Sequence, residues 1–298
     1  MANNPEVLPL AIVVPAFKEA ETIKGFLGSL CELQKLGKQE VIAFLVNDGS
    51  DDDTSRLAKS WQQDNSEKFK LNIINTKHNG IAMAFHEGVS QAIKAGAELI
   101  VRTDVDTRLA PNYVVVASKA FENPALKLIG GRLIAFHDED RRLGDNVRIR
   151  VETGLRQIVS RQLIIPGNNM VMRSEAYLPL PAADDLPEIT DDAPHAFTKK
   201  AALEMPEGVD SSVVVETVES IGERFSRENP KGAGIDVLLT HLFLERFGSA
   251  AVRKNSLLVA ETSMRRQRKY GAFGMADYHL FNSKLFKNDP NVRSEHRH

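Results

Sequence analysis

Residues 10–19 read LAIVVPAFKE, an apolar run of strand length that is followed directly by polar residues. Similar apolar runs recur through the first 136 residues, and several are rich in β-branched side chains, as buried parallel strands are. They occupy Leu10–Val14, Val41–Val46, Leu71–Ile74, Leu99–Val101 and Leu126–Phe136. Helix-like segments lie between them, so the alternation predicts an α/β fold with a mostly parallel central sheet flanked by helices.

The overall composition is typical of a globular protein, with 42% apolar and 26% charged residues in 298. A net charge of −2 argues against the broad basic surface of a nucleic-acid binder, so no nucleic-acid partner is expected. Cys31 stands alone, which excludes an internal disulfide and a metal site built from cysteines. We find no secretory signal pattern and no apolar run long enough to span a bilayer, and we expect a cytoplasmic protein.

Polar residues follow four of these runs at the point where each run ends. They are Pro15–Glu19, Asn47–Asp53, His78–Gly80 and Thr103–Thr107. Because parallel sheets bind ligands at the carboxyl ends of their strands, these segments are expected to meet in one functional site. Taken alone, the second segment is also ordinary turn chemistry, and a glycine before a helix does not establish a phosphate site.

Asp104 and Asp106 carry the most specific chemistry of these residues. In an extended segment, residues two apart point the same way, so both carboxylates can face one cation. Mg²⁺ and Mn²⁺ prefer such oxygen ligands. Two further D-x-D triplets, at residues 51–53 and 138–140, do not directly follow a buried strand. The competing interpretation, a solvated loop with helix-capping aspartates, is disfavoured at 104–106 by this context.

Taken together, the four motifs resemble those of the family 2 glycosyltransferases, which have the GT-A fold. They read VVPAFKE at 13–19, VNDGS at 46–50, NGIAMA at 79–84 and DVD at 104–106, in the order and spacing of that family. The resemblance implies a metal-dependent enzyme that uses Mn²⁺ or Mg²⁺. It would move a sugar from a nucleoside-diphosphate sugar to a hydroxyl of a glycan, glycolipid or small-molecule acceptor.

The resemblance also implies roles for individual residues. Asp48 would contact the base, Asp104 the ribose or the metal, and Asp106 the metal that bridges the diphosphate. The sequence departs from the family pattern at Lys18, where Asn is usual, and at Asn47, where Asp is usual, and both changes bear on base preference. The full set implied to bind the nucleotide sugar is Pro15, Phe17, Glu19, Asn47, Asp48, Gly80, Asp104, Val105 and Asp106.

The second half of the chain matches the family more loosely. Residues 166–173, PGNNMVMR, resemble its acceptor-side segment, which implies acceptor-binding roles for Gly167, Asn168 and Asn169. Family members place an acidic catalytic base at the start of a later helix, and the candidates are Asp236, Asp191 and Asp192.

Asp236 is favoured as the base because a predicted helix follows it and ends at Phe247–Gly248. Its context is also similar to the glucosyl-phosphoglycerate synthase branch, which retains the anomeric configuration. In a retaining enzyme Asp236 would instead bind the acceptor or the sugar, so the stereochemical outcome stays open.

We predict a GT-A domain over residues 8–262, with a nucleotide-sugar half at 8–136 and an acceptor half at 137–262. A basic amphipathic tail, residues 263–298, would follow. The favoured interpretation of the tail is a solvated helix that packs its aromatic side chains on the core. The others are a lid in which Arg265, Arg266, Arg268 or Lys269 reaches the diphosphate, and a peripheral membrane contact that would make the protein membrane-associated.

Two alternative functions stay open at this point. A sugar nucleotidyltransferase would ordinarily carry a glycine-rich basic loop near the first strand, and Pro15–Lys18 is not such a loop. A nucleotide-sugar-binding module without transfer activity is disfavoured by the intact pair of Asp104 and Asp106. Both alternatives rank below the glycosyltransferase.

Overall fold

The secondary structure comes from a computed structural model, which describes residues 7–78, 80–135, 149, 165–177, 239–240, 243–244 and 246–263. The strands in these ranges are β1 (Leu10–Ala16), β2 (Val41–Asp48), β3 (Lys70–Thr76), β4 (Leu99–Arg102), β5 (Thr107–Leu109), β6 (Leu128–Ala135), β7 (Met170–Arg173) and β8 (Val252–Thr262). The helices are α1 (Ile23–Cys31), α2 (Thr54–Asn65), α3 (Ile81–Lys94) and α4 (Tyr113–Ala120).

These strands form one sheet in the spatial order β3-β2-β1-β4-β7-β6-β8-β5. The first four are parallel to one another, as the sequence predicts. The structure differs beyond β4, because β7 inserts between β4 and β6 and runs antiparallel to both. Strand β8 is parallel to β6, and β5 is antiparallel to β8. The predicted, mostly parallel sheet flanked by helices is confirmed, with an antiparallel insertion that the apolar runs do not reveal.

Both faces of the parallel part of the sheet are buried, which explains why its strands are almost continuously apolar. Ile12 and Val14 of β1 belong to the core on the side of α1, α2 and α4, whereas Ala11 and Val13 belong to the core on the side of α3. Helix α3 lies close to the sheet because Gly88 has no side chain, and a Cβ there would collide with Val13.

The strand register determines which polar segments meet. Ala16 at the end of β1 pairs with Asn47 of β2, and Asp48 pairs with Thr76 at the end of β3. On the other side of β1, Val13 pairs with Arg102, the last residue of β4. The segments after these four strands therefore lie at one edge of the sheet, as predicted.

The described residues between 239 and 247 are helical, in agreement with the predicted helix that ends at Gly248. Gly248 has φ of +75°, a conformation that glycine adopts readily and that terminates helices. Leu239 and Phe243 pack into the core on the α3 side of the sheet. Within the described ranges, no helix is long and apolar enough to cross a membrane.

Candidate active site

The loop after β1 is fastened to the loop after β2 by hydrogen bonds. The backbone N–H of Lys18 donates to Ser50 Oγ over 3.0 Å, and that of Glu19 donates to Thr54 Oγ1 over 2.8 Å. Lys18 itself has φ of +56°, which is uncommon for a residue with a side chain. The Glu19 carboxylate accepts a bond from Thr22 Oγ1 over 2.6 Å, at the start of α1. These contacts fix the position from which Phe17 projects.

Phe17 and His78 form an exposed pair of aromatic rings between the ends of β1 and β3. Their ring centroids are 4.1 Å apart and their planes are inclined by 22°. Phe17 is 39% exposed, and the His78 side chain is 59% exposed. Aromatic faces of this kind stack well on nucleobases. The resemblance implies a donor-site role for Phe17, and the sequence also places His78 in one of the four segments, but only the structure shows that the two rings stack.

Asp48 is buried beneath this pair and holds the turn that carries His78. Its Oδ1 accepts a hydrogen bond from Thr76 Oγ1, and its Oδ2 accepts one from the N–H of Gly80, both over 2.9 Å. Oδ2 also lies 3.2 Å from His78 Nδ1. Gly80 has φ of +88°, which requires glycine at the start of α3. Asp48 therefore holds Thr76, His78 and Gly80 in position from the inside.

The structure separates Asn47 from this group, because neighbouring residues of a strand point to opposite faces. Asn47 is 5% exposed, and its Nδ2 donates to Asn75 Oδ1 over 3.1 Å. Pro15 and Val105 are buried as well, so any contact between either residue and a donor would involve little of its side chain.

Asp104 and Asp106 follow β4 in a loop that is bonded at two points. The N–H of Thr107 donates to the carbonyl of Asp104, and the N–H of Ser263 donates to the carbonyl of Asp106, both over 3.0 Å. The Asp104 side chain is 20% exposed and Asp106 is 8% exposed. One buried oxygen of Asp104, Oδ1, has no hydrogen-bond partner.

This donor set fits a hard divalent cation that completes its coordination with phosphate and water oxygens. In the part of the chain that the structure describes, no third His, Cys, Asp or Glu joins the two aspartates in a group that could hold a metal.

The acceptor-side segment lies directly against the D-x-D loop. Asn168 Nδ2 donates to Thr107 Oγ1 over 3.3 Å and to Thr262 Oγ1 over 3.2 Å. The carbonyl of Asn168 accepts a hydrogen bond from Thr103 Oγ1 over 3.1 Å. Asn168 is partly exposed and Gly167 is buried. These bonds place Asn168 beside the loop that carries Asp104 and Asp106, and its acceptor-binding role stays a prediction.

Asn169, by contrast, is fully buried. Its Nδ2 donates to the carbonyls of Arg132 and Leu258, and its Oδ1 accepts a 2.8 Å hydrogen bond from the hydroxyl of Tyr113. Burial raises the pKa of the Tyr113 phenol far above its usual range, so the hydroxyl stays a donor. Because no surface is left for an acceptor, these contacts favour a structural role for Asn169 over the expected acceptor contact.

The remaining candidates cannot be placed. Asp191, Asp192 and Asp236 lie outside the described residues, as does the tail from residue 264 to residue 298. The three interpretations of the tail, including the membrane contact, stay predictions.

Residues 11–178 match the family model for glycosyl transferase family 2. The chain belongs to this family. The match covers all four motifs and the acceptor-side segment, and it confirms both the resemblance and the assignment as a glycosyltransferase. The family match and the helix-flanked, mostly parallel sheet together confirm the expected GT-A fold.

Individual known proteins are more distant. A poly-beta-1,6-N-acetyl-D-glucosamine synthase from Staphylococcus epidermidis is 28% identical over 133 residues, or 44% of this chain. This chain spans only 30% of the length of that relative.

Among solved structures, glucosyl-3-phosphoglycerate synthase from Mycobacterium tuberculosis, in complex with Mn²⁺, uridine diphosphate and glucosyl-3-phosphoglycerate, has a TM-score of 0.51. The two chains are 15% identical, and the match covers 93% of this chain and 79% of that one. Mannosyl-3-phosphoglycerate synthase from Rubrobacter xylanophilus is 14% identical with a TM-score of 0.48, and the match covers 92% of this chain and 74% of that one. At 15% identity, the likeness to the glucosyl-3-phosphoglycerate synthase bears on the fold alone.

Proposed function

We propose that this glycosyltransferase moves a sugar from a nucleoside-diphosphate sugar to an acceptor hydroxyl, with Mn²⁺ or Mg²⁺ at Asp104 and Asp106. The observation that carries the proposal is the position of these two carboxylates. They follow β4 at the sheet edge where Phe17 and His78 expose their rings. A donor needs a platform for its base and a site for its diphosphate, and this edge offers both.

The described residues have distinct parts in this proposal. Phe17 and His78 provide aromatic faces for the base, and Asp48 keeps His78 in place through the turn that it bonds. Asp104 and Asp106 would bind the metal, which would supply positive charge against the negative charge that develops on the leaving diphosphate. Asn168 links the acceptor side to this loop. The acceptor class, whether glycan, glycolipid or small molecule, stays a proposal.

The proposal is tested by thermal unfolding of the protein with UDP-, GDP-, ADP- and dTDP-sugars, each with and without Mn²⁺. A ligand that binds only the folded state stabilises it and so raises Tm. At a ligand concentration of 100 times the Kd, the free energy of unfolding increases by about 2.7 kcal/mol. We expect one nucleotide to stabilise the protein in a metal-dependent manner. The absence of any shift would favour a site that requires acceptor first or has lost donor binding, and repeating the unfolding with candidate acceptor sugars added would separate these two outcomes.

Asp236 is our first choice for the catalytic base that takes the proton from the acceptor hydroxyl in an inverting reaction. Removing a general base lowers kcat by roughly 10²–10⁴-fold, and Asp236→Asn is expected to do so with little change in the Kd of the donor. Steady-state kinetics and donor titration measure the two quantities. Near wild-type turnover in Asp236→Asn would move the assignment to Asp191 or Asp192, which the matching Asn variants then distinguish.

A further inference from the structure

Arg102 is a buried charge at the end of a strand that is otherwise apolar. It ends β4, where Leu99–Val101 are completely buried, and its own side chain is 4% exposed. The guanidinium lies over the ring of Phe85, 5.5 Å from the ring centroid, and its Nε has no hydrogen-bond partner. Removing such a group from water is unfavourable unless a counter-charge compensates.

The counter-charge is Asp104. Arg102 Nη2 lies 3.6 Å from Asp104 Oδ1, and no other described carboxylate lies within ion-pair distance of the guanidinium. Among the described groups on the α3 side of the sheet, Arg102 also lies near the ring of Phe85 and the phenol of Tyr177, which are uncharged. Burial raises the pKa of that phenol, although the positive charge of Arg102 opposes the shift.

The two oxygens of Asp104 have different surroundings. Oδ1, which faces Arg102, is buried and accepts no hydrogen bond. Because the side chain as a whole is still 20% exposed, its exposed surface lies away from Oδ1. The ion pair therefore divides the carboxylate into an inner oxygen beside Arg102 and an outer oxygen open to the site.

We infer that Arg102 is a positioning residue for donor binding: it holds Oδ1 of Asp104 and thereby presents Oδ2 to the metal or the ribose. The inference rests on the proposed function of the D-x-D loop. Partners that orient a ligating carboxylate typically contribute 10–100-fold in metal affinity or activity. Arg102 also offsets one of the two negative charges of the loop, that of Asp104. The position of Arg102 therefore affects how strongly Asp104 and Asp106 together attract a cation.

The test measures binding of Mn²⁺ with UDP, GDP, ADP or dTDP to the full chain by calorimetry, together with thermal unfolding, and the variants are compared using the nucleotide that wild type binds most tightly. We expect Arg102→Met to weaken binding about 10–100-fold and Arg102→Lys to weaken it less, because a lysine keeps the charge without the planar fork. The effect must act through Asp104, so the double variant Arg102→Met/Asp104→Asn should bind as Asp104→Asn does.

Arg173→Met is the matched control. Arg173 lies on β7 in the same sheet, and its guanidinium donates to the backbone carbonyls of Leu126 and Phe121 instead of a carboxylate. Its replacement should lower Tm without changing binding. If Arg102→Met does not fold, Arg102→Lys is compared with Arg102→Lys/Asp104→Asn in the same way.

Two results would overturn the inference about Arg102 while leaving the proposed function intact. In the first, wild type binds Mn²⁺ with one of the four nucleoside diphosphates and Arg102→Met binds the same nucleotide equally well. In the second, Arg102→Met weakens binding by the same factor in the Asp104→Asn background. If wild type itself fails to bind Mn²⁺ with each of the four nucleoside diphosphates, the proposed function and the inference fall together.

Discussion

Asp106→Asn should lower kcat/KM for sugar transfer by about 10³-fold, or roughly 4 kcal/mol of transition-state stabilisation. The amide keeps the size of the side chain but removes the negative charge that, in the proposed function, would hold a divalent cation against the leaving diphosphate. Asp106 is 8% exposed, so solvent cannot readily replace the lost ligand. Initial rates at several Mn²⁺ concentrations measure the effect, and excess Mn²⁺ should restore only part of the rate.

Asp64→Asn is the control for the same change of charge, because Asp64 is exposed on α2. Its rate should equal that of wild type. If Asp106→Asn retained the wild-type rate at every Mn²⁺ concentration, Asp106 would not be a metal ligand and the D-x-D assignment would be lost.

The largest expected effect on stability is at Asn169. Asn169→Leu removes three hydrogen bonds and leaves the Tyr113 hydroxyl and the carbonyls of Arg132 and Leu258 without this partner inside the protein. With a penalty of about 1–3 kcal/mol for each group left unsatisfied, partly relieved by relaxation, we expect a loss of roughly 3–5 kcal/mol. Urea unfolding followed by circular dichroism measures this change in free energy.

Two further variants serve as references for the loss of stability expected in Asn169→Leu. Tyr113→Phe removes only the bond to Asn169 Oδ1 and should cost about 1–2 kcal/mol. Asn72→Leu, on the exposed side of β3, should stay within about 0.5 kcal/mol of wild type. If Asn169→Leu were as stable as wild type but had a raised KM for acceptor, the acceptor-binding role implied by the sequence would be restored.

The parallel part of the sheet was predictable because its strands are buried on both faces. Burial on both faces requires apolar side chains at nearly every position, as Leu10–Ala16 and Leu99–Val101 show. The first half of β8 was harder to predict, because exposed polar residues occupy it. Strand β5 is three residues long, too short for any periodicity.

The site was predictable in outline, since the strand ends had to converge, but not in its individual contacts. Asn169 is identical in type to Asn168 and adjacent to it, yet only Asn168 is partly exposed. That difference depends on how Tyr113, Arg132 and Leu258 surround Asn169, and these residues are distant in sequence. Likewise, the buried Arg102 interrupts an apolar run, but its partner is identifiable only from the 3.6 Å contact with Asp104.

The two backbone bonds of the D-x-D loop have a consequence for local opening. The loop leaves β4 in the middle of the sheet and enters β5 at its edge, and Ser263, just after β8, is bonded to the carbonyl of Asp106. Protein segments exchange their amide hydrogens in cooperative units that open together. Because this loop is bonded to Thr107 of β5 and to Ser263 after β8, we expect its amides to exchange together with those of β5 and β8, and the carboxylates to keep their geometry for as long as these strands stay paired.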